Sequence, residues 1–252
     1  MIQPLFNMPL LLAEGNERVL VAADLHLGLE HELLLCGISI PSQTEQILSR
    51  LTGSIEDIGP DRLMLLGDVK LSVPGTSWQE RRELPEFLRR LSELVRVEIV
   101  PGNHDMSLAD MLPSEIRLWP PSGTVLDGVG YFHGHTWPGR DLLDAGLLVS
   151  GHLHPVLRLR DPLGCKLTMQ VWTRSPLSVG EIMRHYGLSS GPELIIMPAF
   201  NCLCGGLPLN EPCEDQRGPL LSIADLALMR VYLLDGTDLG LLSSIGAGSA
   251  DQ

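Results

Sequence analysis

Five short polar motifs recur in one setting along this chain of 252 residues, and between them they hold six of its eight histidines. They are Asp24-Leu25-His26, Gly67-Asp68, Gly102-Asn103-His104-Asp105, His133-Gly134-His135 and Gly151-His152-Leu153-His154. Each follows a run rich in Val, Ile, Leu or Met. Such runs read as buried strands. A chain patterned this way must fold so that several strand ends deliver carboxylate, imidazole and amide groups from separate loops. A scatter of surface histidines would not be flanked by glycine and apolar runs each time.

The apolar pattern supplies the frame. Arg18–Ala23, Arg62–Leu66 and Val95–Val100 read as strands. Between them Leu27–Cys36, Ser42–Leu51 and Trp78–Leu94 read as helices, with Ser42 and Glu45 at capping-box spacing and Pro85 expected to bend or shorten the third. This β-α-β-α-β rhythm predicts parallel strands with ligands at their carboxyl ends. After Ser114 short strands follow one another: Ile116–Leu118, Gly130–Phe132, Leu147–Ser150, Val156–Arg160 and Lys166–Thr173. The turn Asp161-Pro162-Leu163-Gly164 predicts a hairpin between the last two, and the whole series predicts a second, antiparallel or mixed sheet. A helix over Ser178–Tyr186 ends at Gly187, strands follow at Glu193–Met197 and Met229–Leu234, and a Gly-, Pro- and Cys-rich loop lies between them. One domain is expected over residues 1–245, its core at 1–156 and its second sheet completed by 157–245, with a frayed tail at 246–252.

Composition narrows the function classes. A net charge of −13 argues against broad adhesion to nucleic acid, which needs a basic footprint, although bound divalent metals add charge that a residue count omits. The run Met8–Ala13 is too short to cross a bilayer, and no basic residue precedes Arg18, so neither a membrane span nor a signal peptide is expected; the cytoplasm is the expected location. The odd count of five cysteines fits thiols in a reducing compartment. Cys202, Cys204 and Cys213 lack zinc-ribbon spacing and are read as buried or semi-buried thiols rather than ligands.

Taken singly, Asp24 and Asp68 are as easily caps or turn residues. In an extended segment Asp24 and His26 would point the same way and share an ion. Asn103 offers a neutral oxygen, and His104 beside Asp105 has the look of an acid/base pair. His152 and His154 present two rings on one side, and His133 or His135 adds a nitrogen; His133 is favoured because it follows the Tyr131–Phe132 run directly, which leaves His135 to line the pocket. Seven candidate ligands are too many for one ion. They suit two, set ~3.5–4 Å apart as in metal-assisted displacement at phosphorus. The mixed oxygen and nitrogen set favours Mn, Fe or Zn over Mg or Ca without choosing among the three, and Mn is the expected metal.

Taken in order, residues 18 to about 156 resemble the calcineurin-like metallophosphoesterase superfamily. That resemblance implies a four-layer α/β/β/α sandwich of two mixed sheets flanked by helices. It implies that Asp24, His26 and His154 hold one metal, Asn103, His133 and His152 the other, and that Asp68 bridges them. His104 is then no ligand but the group that contacts phosphate or protonates the leaving oxygen. More narrowly, Asp24-Leu25-His26-Leu27-Gly28-Leu29-Glu30, Gly67-Asp68-Val69-Lys70 and Pro198-Ala199-Phe200-Asn201…Gly205-Gly206 are similar to an archaeal branch of phosphoesterases, itself similar to bacterial enzymes associated with DNA ligase and helicase genes. Many relatives carry Asp or His three residues after the bridging aspartate. Here that position is Leu71, which leaves Asp105 as the nearest candidate to orient His104. Lys70, one of two lysines, either binds a substrate phosphate or is solvated.

The expected activity is phosphoester hydrolysis by a hydroxide between two divalent metals, with a phosphodiester, nucleic acid included, as the favoured substrate. The alternatives are a phosphomonoesterase or nucleotide phosphohydrolase acting on a small molecule, and an inactive metal-bearing interaction module.

Overall fold

The run Arg18–Ala23 forms a strand whose side chains are buried on both faces, and this sets the layering. Leu20 and Ala22 point into one core, Val19, Val21 and Ala23 into another, as the two-residue period of a strand requires. The computed structural model describes residues 1–160, 164–211 and 218–246. Its first sheet contains β1 (Ile2–Pro4), β2 (Leu10–Glu14), β3 (Arg18–Ala23), β4 (Arg62–Leu66), β5 (Arg96–Val100) and β6 (Arg117–Leu118), in that spatial order. The strands β3, β4 and β5 are parallel, in the register Ala23↔Leu66↔Val100. Their carboxyl ends therefore finish level with one another.

The second sheet contains β7 (Thr124–Leu126), β8 (Val129–Phe132), β9 (Leu147–Ser150), β10 (Pro155–Arg160), β11 (Lys166–Pro176), β12 (Glu193–Ile196), β13 (Leu207–Pro208), β14 (Arg230–Leu233) and β15 (Asp238–Leu241). Its main path runs β13-β10-β11-β12-β9-β8-β7, with β14 and β15 added beside β11. The strands β8 and β9 are parallel and also end together, Phe132 opposite Ser150.

Among the described residues five α-helices complete the set: α1 (Leu29–Leu35), α2 (Thr44–Ile58), α3 (Trp78–Ser92), α4 (Val179–Tyr186) and α5 (Pro219–Ile223). Ile47, Leu48 and Leu51 of α2 and Leu84, Phe87 and Leu88 of α3 cover the outer face of the first sheet. Met64, Leu66 and Val100 meet Tyr131, Val149 and Ile195 between the sheets. Ile182, Leu220 and Ile223 cover the outer face of the second. The architecture is the four-layer α/β/β/α sandwich of two mixed sheets.

Several local expectations change. The strand expected at Ile116–Leu118 joins the first sheet, parallel to β5, rather than the second. The capping box forms at α3, where Ser77 and Glu80 satisfy each other's backbone N–H. It does not form at Ser42, whose hydroxyl donates instead to Glu83 at 2.8 Å, and α2 starts two residues later than Ser42. The third helix runs unbroken through Pro85 to Ser92. Gly187 ends α4 in the left-handed region, as expected. The Gly/Cys-rich loop contains β13 and α5. The strands β10 and β11 pair antiparallel from Arg160↔Lys166, while turn residues 161–163, Cys213 and the tail beyond 246 lie outside the described residues. Among the described residues no helix is long and apolar enough to cross a membrane.

Candidate metal centre

Beyond Ala23 and Leu66 the two chain segments stay zipped together. Asp24 N donates to Gly67 O at 3.2 Å, His26 N to Asp68 O at 2.8 Å and Leu27 N to Val69 O at 2.9 Å. This continuation is not extended strand. Asp24, His26 and Asp68 have φ of 57°, 43° and 49°, and His152 and His154 on the second sheet have 73° and 45°. A non-glycine residue in the left-handed region costs about 1–3 kcal/mol, and such costs persist where function over-determines the backbone. Five of the eight such residues among those described belong to these motifs. Asp24 and His26 thus share a site through two left-handed residues, not through the alternation of an extended segment.

The strain brings donors into overlapping groups. Asp24, His26 and His154 offer ligand atoms within 4.8 Å of one another; so do Asp68, His133 and His152, and so do His26, Asp68 and His104. The Asp68 Oδ2 atom lies 3.7 Å from His26 Nε2 and 3.3 Å from His133 Nε2, so one oxygen stands between the groups. The Nε2 atoms of His26 and His154 face each other at 3.1 Å. Backbone carbonyls fix the opposite ring nitrogens: Leu66 O is 2.9 Å from His133 Nδ1, and Gly205 O is 2.8 Å from His154 Nδ1. Such outer contacts set the tautomer and aim the other nitrogen at a metal. The site has no room to spare. A Cβ on Gly102 would lie 2.1 Å from Asp68 Oδ1, and one on Gly67 2.3 Å from His133 Nδ1.

These groups do not satisfy one another. His26 Nδ1, His133 Nε2 and His135 Nδ1 are buried without a hydrogen-bond partner. Burial alone would raise the Asp24 and Asp68 carboxyls, but His154 and His133 hold Asp24 below its usual range, and His133 and His26 hold Asp68 well below it. Burial works against a proton on His133, yet Asp68, Asp24 and the Leu66 carbonyl push it up to about 9. Burial lowers His26 and His152 to about 4. Two buried carboxylates and the ring nitrogens that face them form an oxygen and nitrogen donor set that divalent cations would satisfy.

Asp105 is not the partner of His104. Its buried carboxylate accepts from Val69 N at 2.9 Å, Lys70 N at 3.2 Å and Gly102 N at 2.8 Å, tying the loops after β4 and β5 together. Burial raises its carboxyl to about 6. His104 Nδ1 instead donates to the Leu71 carbonyl at 2.5 Å, while His104 N donates to Asp68 Oδ1 at 2.9 Å. A backbone oxygen fills the place for which Leu71 offers no side-chain acceptor, and residue types alone carry no signal of it. Lys70 is neither solvated nor open to substrate. It is fully buried, and its ammonium donates to Ser72 O at 2.6 Å and Gly75 O at 2.7 Å.

His135 lies beside the site, its ring 5.2 Å from that of His133. Asn103 is exposed in the turn between Gly102 and His104, and its amide makes no hydrogen bond to the described residues. Among those residues no candidate ligand group includes a cysteine, and Cys202 is exposed while Cys204 is half-buried.

The late Pro198–Gly206 segment closes the site from the side. Phe200 N donates to Ala23 O at 2.8 Å, and the Asn201 amide donates to Leu25 O at 3.0 Å. Gly205 then supplies the carbonyl on His154. A cavity of about 680 Å³ opens beside His152 and His154, with Arg158 and Gly206 in its walls.

Among curated protein sequences none matches the chain. Among solved structures the fold is shared with the nuclease MPE of Pseudomonas putida, with a TM-score of 0.56 and 18% identity over 95% of this chain and 100% of that one. Yfce, a phosphoesterase from E. coli, superposes with a TM-score of 0.42 and 16% identity over 88% of this chain and 96% of that one. The family model of the calcineurin-like phosphoesterases matches residues 17–191. This chain belongs to the calcineurin-like phosphoesterase family.

Proposed function

We propose that the protein is a dinuclear metal-dependent phosphodiesterase. The observation that carries this reading is the meeting of two donor groups, Asp24/His26/His154 and Asp68/His133/His152, about one oxygen of Asp68. Asn103 completes the second group from its exposed position in the turn after β5. When bound, two divalent ions, manganese first, absorb charge on the phosphoryl oxygens and lower the pKa of the attacking water.

The chain's own residues do the rest. With Nδ1–H donating to Leu71 O, His104 in its imidazolium form gives the proton on Nε2 to the departing oxygen and is left neutral, with its remaining proton on Nδ1. The cavity beside His152 and His154 receives the substrate, and His135, its ring 5.2 Å from that of His133, contacts it from outside that cavity's walls. Asp105 keeps the Asp68 and His104 loops in contact rather than touching substrate.

The similarity of Asp24–Glu30 and Gly67–Lys70 to the branch linked with DNA ligase and helicase enzymes supports a phosphodiester in nucleic acid. The likeness to the nuclease MPE carries the fold and not its substrate. The charge of −13 favours a second reading, a small phosphoester or nucleotide substrate hydrolysed in the cytoplasm by the same groups.

The test is turnover of bis-p-nitrophenyl phosphate by metal-free protein resupplied with manganese, followed by single-stranded DNA, a cyclic nucleotide and p-nitrophenyl phosphate under the same metal. Folded protein that takes up no divalent ion would end the proposal. His104→Ala is expected to retain metal and lose roughly 10²–10⁴ in turnover on an alkyl diester, the usual worth of a general acid.

A further inference from the structure

The turn that presents the Leu71 carbonyl to His104 has no hydrogen bonds of its own. Among the described residues, none of residues 72–76 makes a backbone hydrogen bond within the turn. The segment Ser72-Val73-Pro74-Gly75-Thr76 includes a proline without an N–H, and the buried Ser72 hydroxyl has no partner. Two buried charged side chains hold this irregular stretch from outside, and they divide its backbone groups between them. The Glu80 carboxylate takes the amides: Leu71 N at 2.9 Å, Ser72 N at 2.7 Å and Ser77 N at 2.5 Å. The Lys70 ammonium takes the carbonyls of Ser72 and Gly75. A fully buried lysine is rare unless its charge is matched. Burial pushes the Lys70 pKa down, and Glu80, Asp105 and Asp68 work against that by favouring the charged form.

The consequence reaches the site through one atom. Leu71 N is fixed by Glu80 and by Leu27 O at 3.1 Å, and the next residue is fixed at Ser72 N by Glu80 and at Ser72 O by Lys70. The carbonyl between these anchors is the one 2.5 Å from His104 Nδ1. We propose that Lys70 is a positioning residue: acting with Glu80, it fixes the 71–75 turn so that the Leu71 carbonyl holds His104 at Nδ1 and leaves Nε2 to the departing oxygen. The catalytic half of this statement rests on the hydrolase reading above. The hold on the imidazole does not.

Lys70→Met removes the ammonium and keeps most of the stem. Turnover on an alkyl phosphodiester should fall by roughly tenfold or more, a share of what general acid catalysis supplies, and much less on the p-nitrophenyl ester, whose leaving group needs no proton. KM and bound metal should stay at wild-type values, Lys70→Arg should recover part of the loss, and adding His104→Ala should cost nothing beyond His104→Ala alone. Equal losses on both esters, or additive losses in the double variant, would overturn the proposal, since a lysine that merely stabilises the fold behaves that way.

The second readout needs no activity. In metal-free and zinc-loaded protein labelled with ¹⁵N-histidine, the His104 Nδ1–H resonance, assigned by its absence in His104→Gln, should be protected in the wild type and exchange faster in Lys70→Met. An unchanged resonance overturns the inference. Should Lys70→Met not fold, Glu80→Gln weakens the same turn from its amide side and should give the same pattern. If wild-type protein hydrolyses neither ester, the hydrolase reading fails and the resonance alone decides whether Lys70 positions His104.

Discussion

The two ends of the same parallel strands carry two polar clusters of opposite character, the one at the carboxyl ends buried and the other half-buried. At the amino ends, Arg62 opens β4 and is paired with Glu17 and Glu98, Arg96 reaches Glu17 at 2.6 Å, and Trp119 Nε1 donates to the second oxygen of Glu98 at 2.7 Å. Cation meets anion there, and the backbone is ordinary strand. At the carboxyl ends, Asp24, Asp68 and five histidines meet with ring nitrogens unpartnered and backbone strained. A polar cluster whose charges pair off is the mark of a structural contact, and one that leaves buried ring nitrogens unpartnered on a strained backbone is a candidate for a ligand.

The largest expected effect breaks that contrast at the ligand end. Asp68→Asn removes the oxygen charge shared by both donor groups. Metal-dependent hydrolysis should fall by ~10³-fold or more, which corresponds to the several kcal/mol that metal catalysis supplies. In the wild type, added manganese should raise the melting temperature, by the equivalent of about 2.7 kcal/mol at 100 times Kd, and in Asp68→Asn that rise should shrink or vanish. Turnover, metal content and melting curves with and without chelator check this. Wild-type turnover in Asp68→Asn would remove Asp68 from the centre.

At the other end the expected loss is of stability and not of chemistry. Arg62→Met takes the nearest cation from the buried Glu98 carboxylate, which keeps the Trp119 N–H and Arg96 at 3.7 Å, and should cost about 3 kcal/mol in denaturant unfolding, the lower end of the usual penalty for removing one partner of a buried pair. Metal content per folded molecule should not change. Loss of metal from well-folded Arg62→Met would show that the two ends are coupled.

This contrast is only half legible in the sequence. The strands Arg18–Ala23 and Arg62–Leu66 stand where their apolar runs place them, because an all-apolar run closed by Gly or Asp leaves little choice of boundary. The strand Leu10–Glu14, equally apolar, escapes a reading led by motifs because it lacks a polar one at its end. The side-chain donors Asp24, His26, Asp68, His133, His152 and His154 are visible as residue types at strand ends. The Leu71 and Gly205 carbonyls are not, since every residue has a carbonyl and only the folded backbone says which one is aimed. Asp105 and Lys70 mislead for a related reason. Charged residues beside a site suggest substrate, whereas burial turns both toward backbone amides and carbonyls.

Glycine tests how tightly the ligand end is packed. Gly102→Ala would set a methyl group 2.1 Å from Asp68 Oδ1. Overpacking of this kind costs about 1–3 kcal/mol, and here the displaced atom belongs to a candidate ligand. Metal affinity should therefore fall along with stability, as calorimetric titration with manganese would read. Unchanged affinity would mean that Asp68 has slack the structure does not show.

The smallest effect separates the two kinds of carboxylate by their response to salt. Glu17, at the amino ends, is held below its usual pKa chiefly by hydrogen bonds from Arg62 and then Arg96. Glu80, behind the candidate site, would be raised by burial but is lowered by the Ser72 and Ser77 amides it accepts from. Both folded-state values lie below the unfolded one. Each group therefore contributes stability that is fully present above the unfolded carboxyl pKa and is lost as pH falls through the folded value. Glu17 is half-exposed, and its attraction to two arginines is screened; at about 1 M salt the Debye length is only ~3 Å. Amide hydrogen bonds to a buried oxygen are screened far less. Unfolding free energy measured from neutral pH into the acid range should lose a salt-sensitive part in Glu17→Gln and a salt-insensitive part in Glu80→Gln. If high salt abolished the difference between wild type and Glu80→Gln, the Glu80 carboxylate would be held by distant charges and not by the amides of the turn beside it.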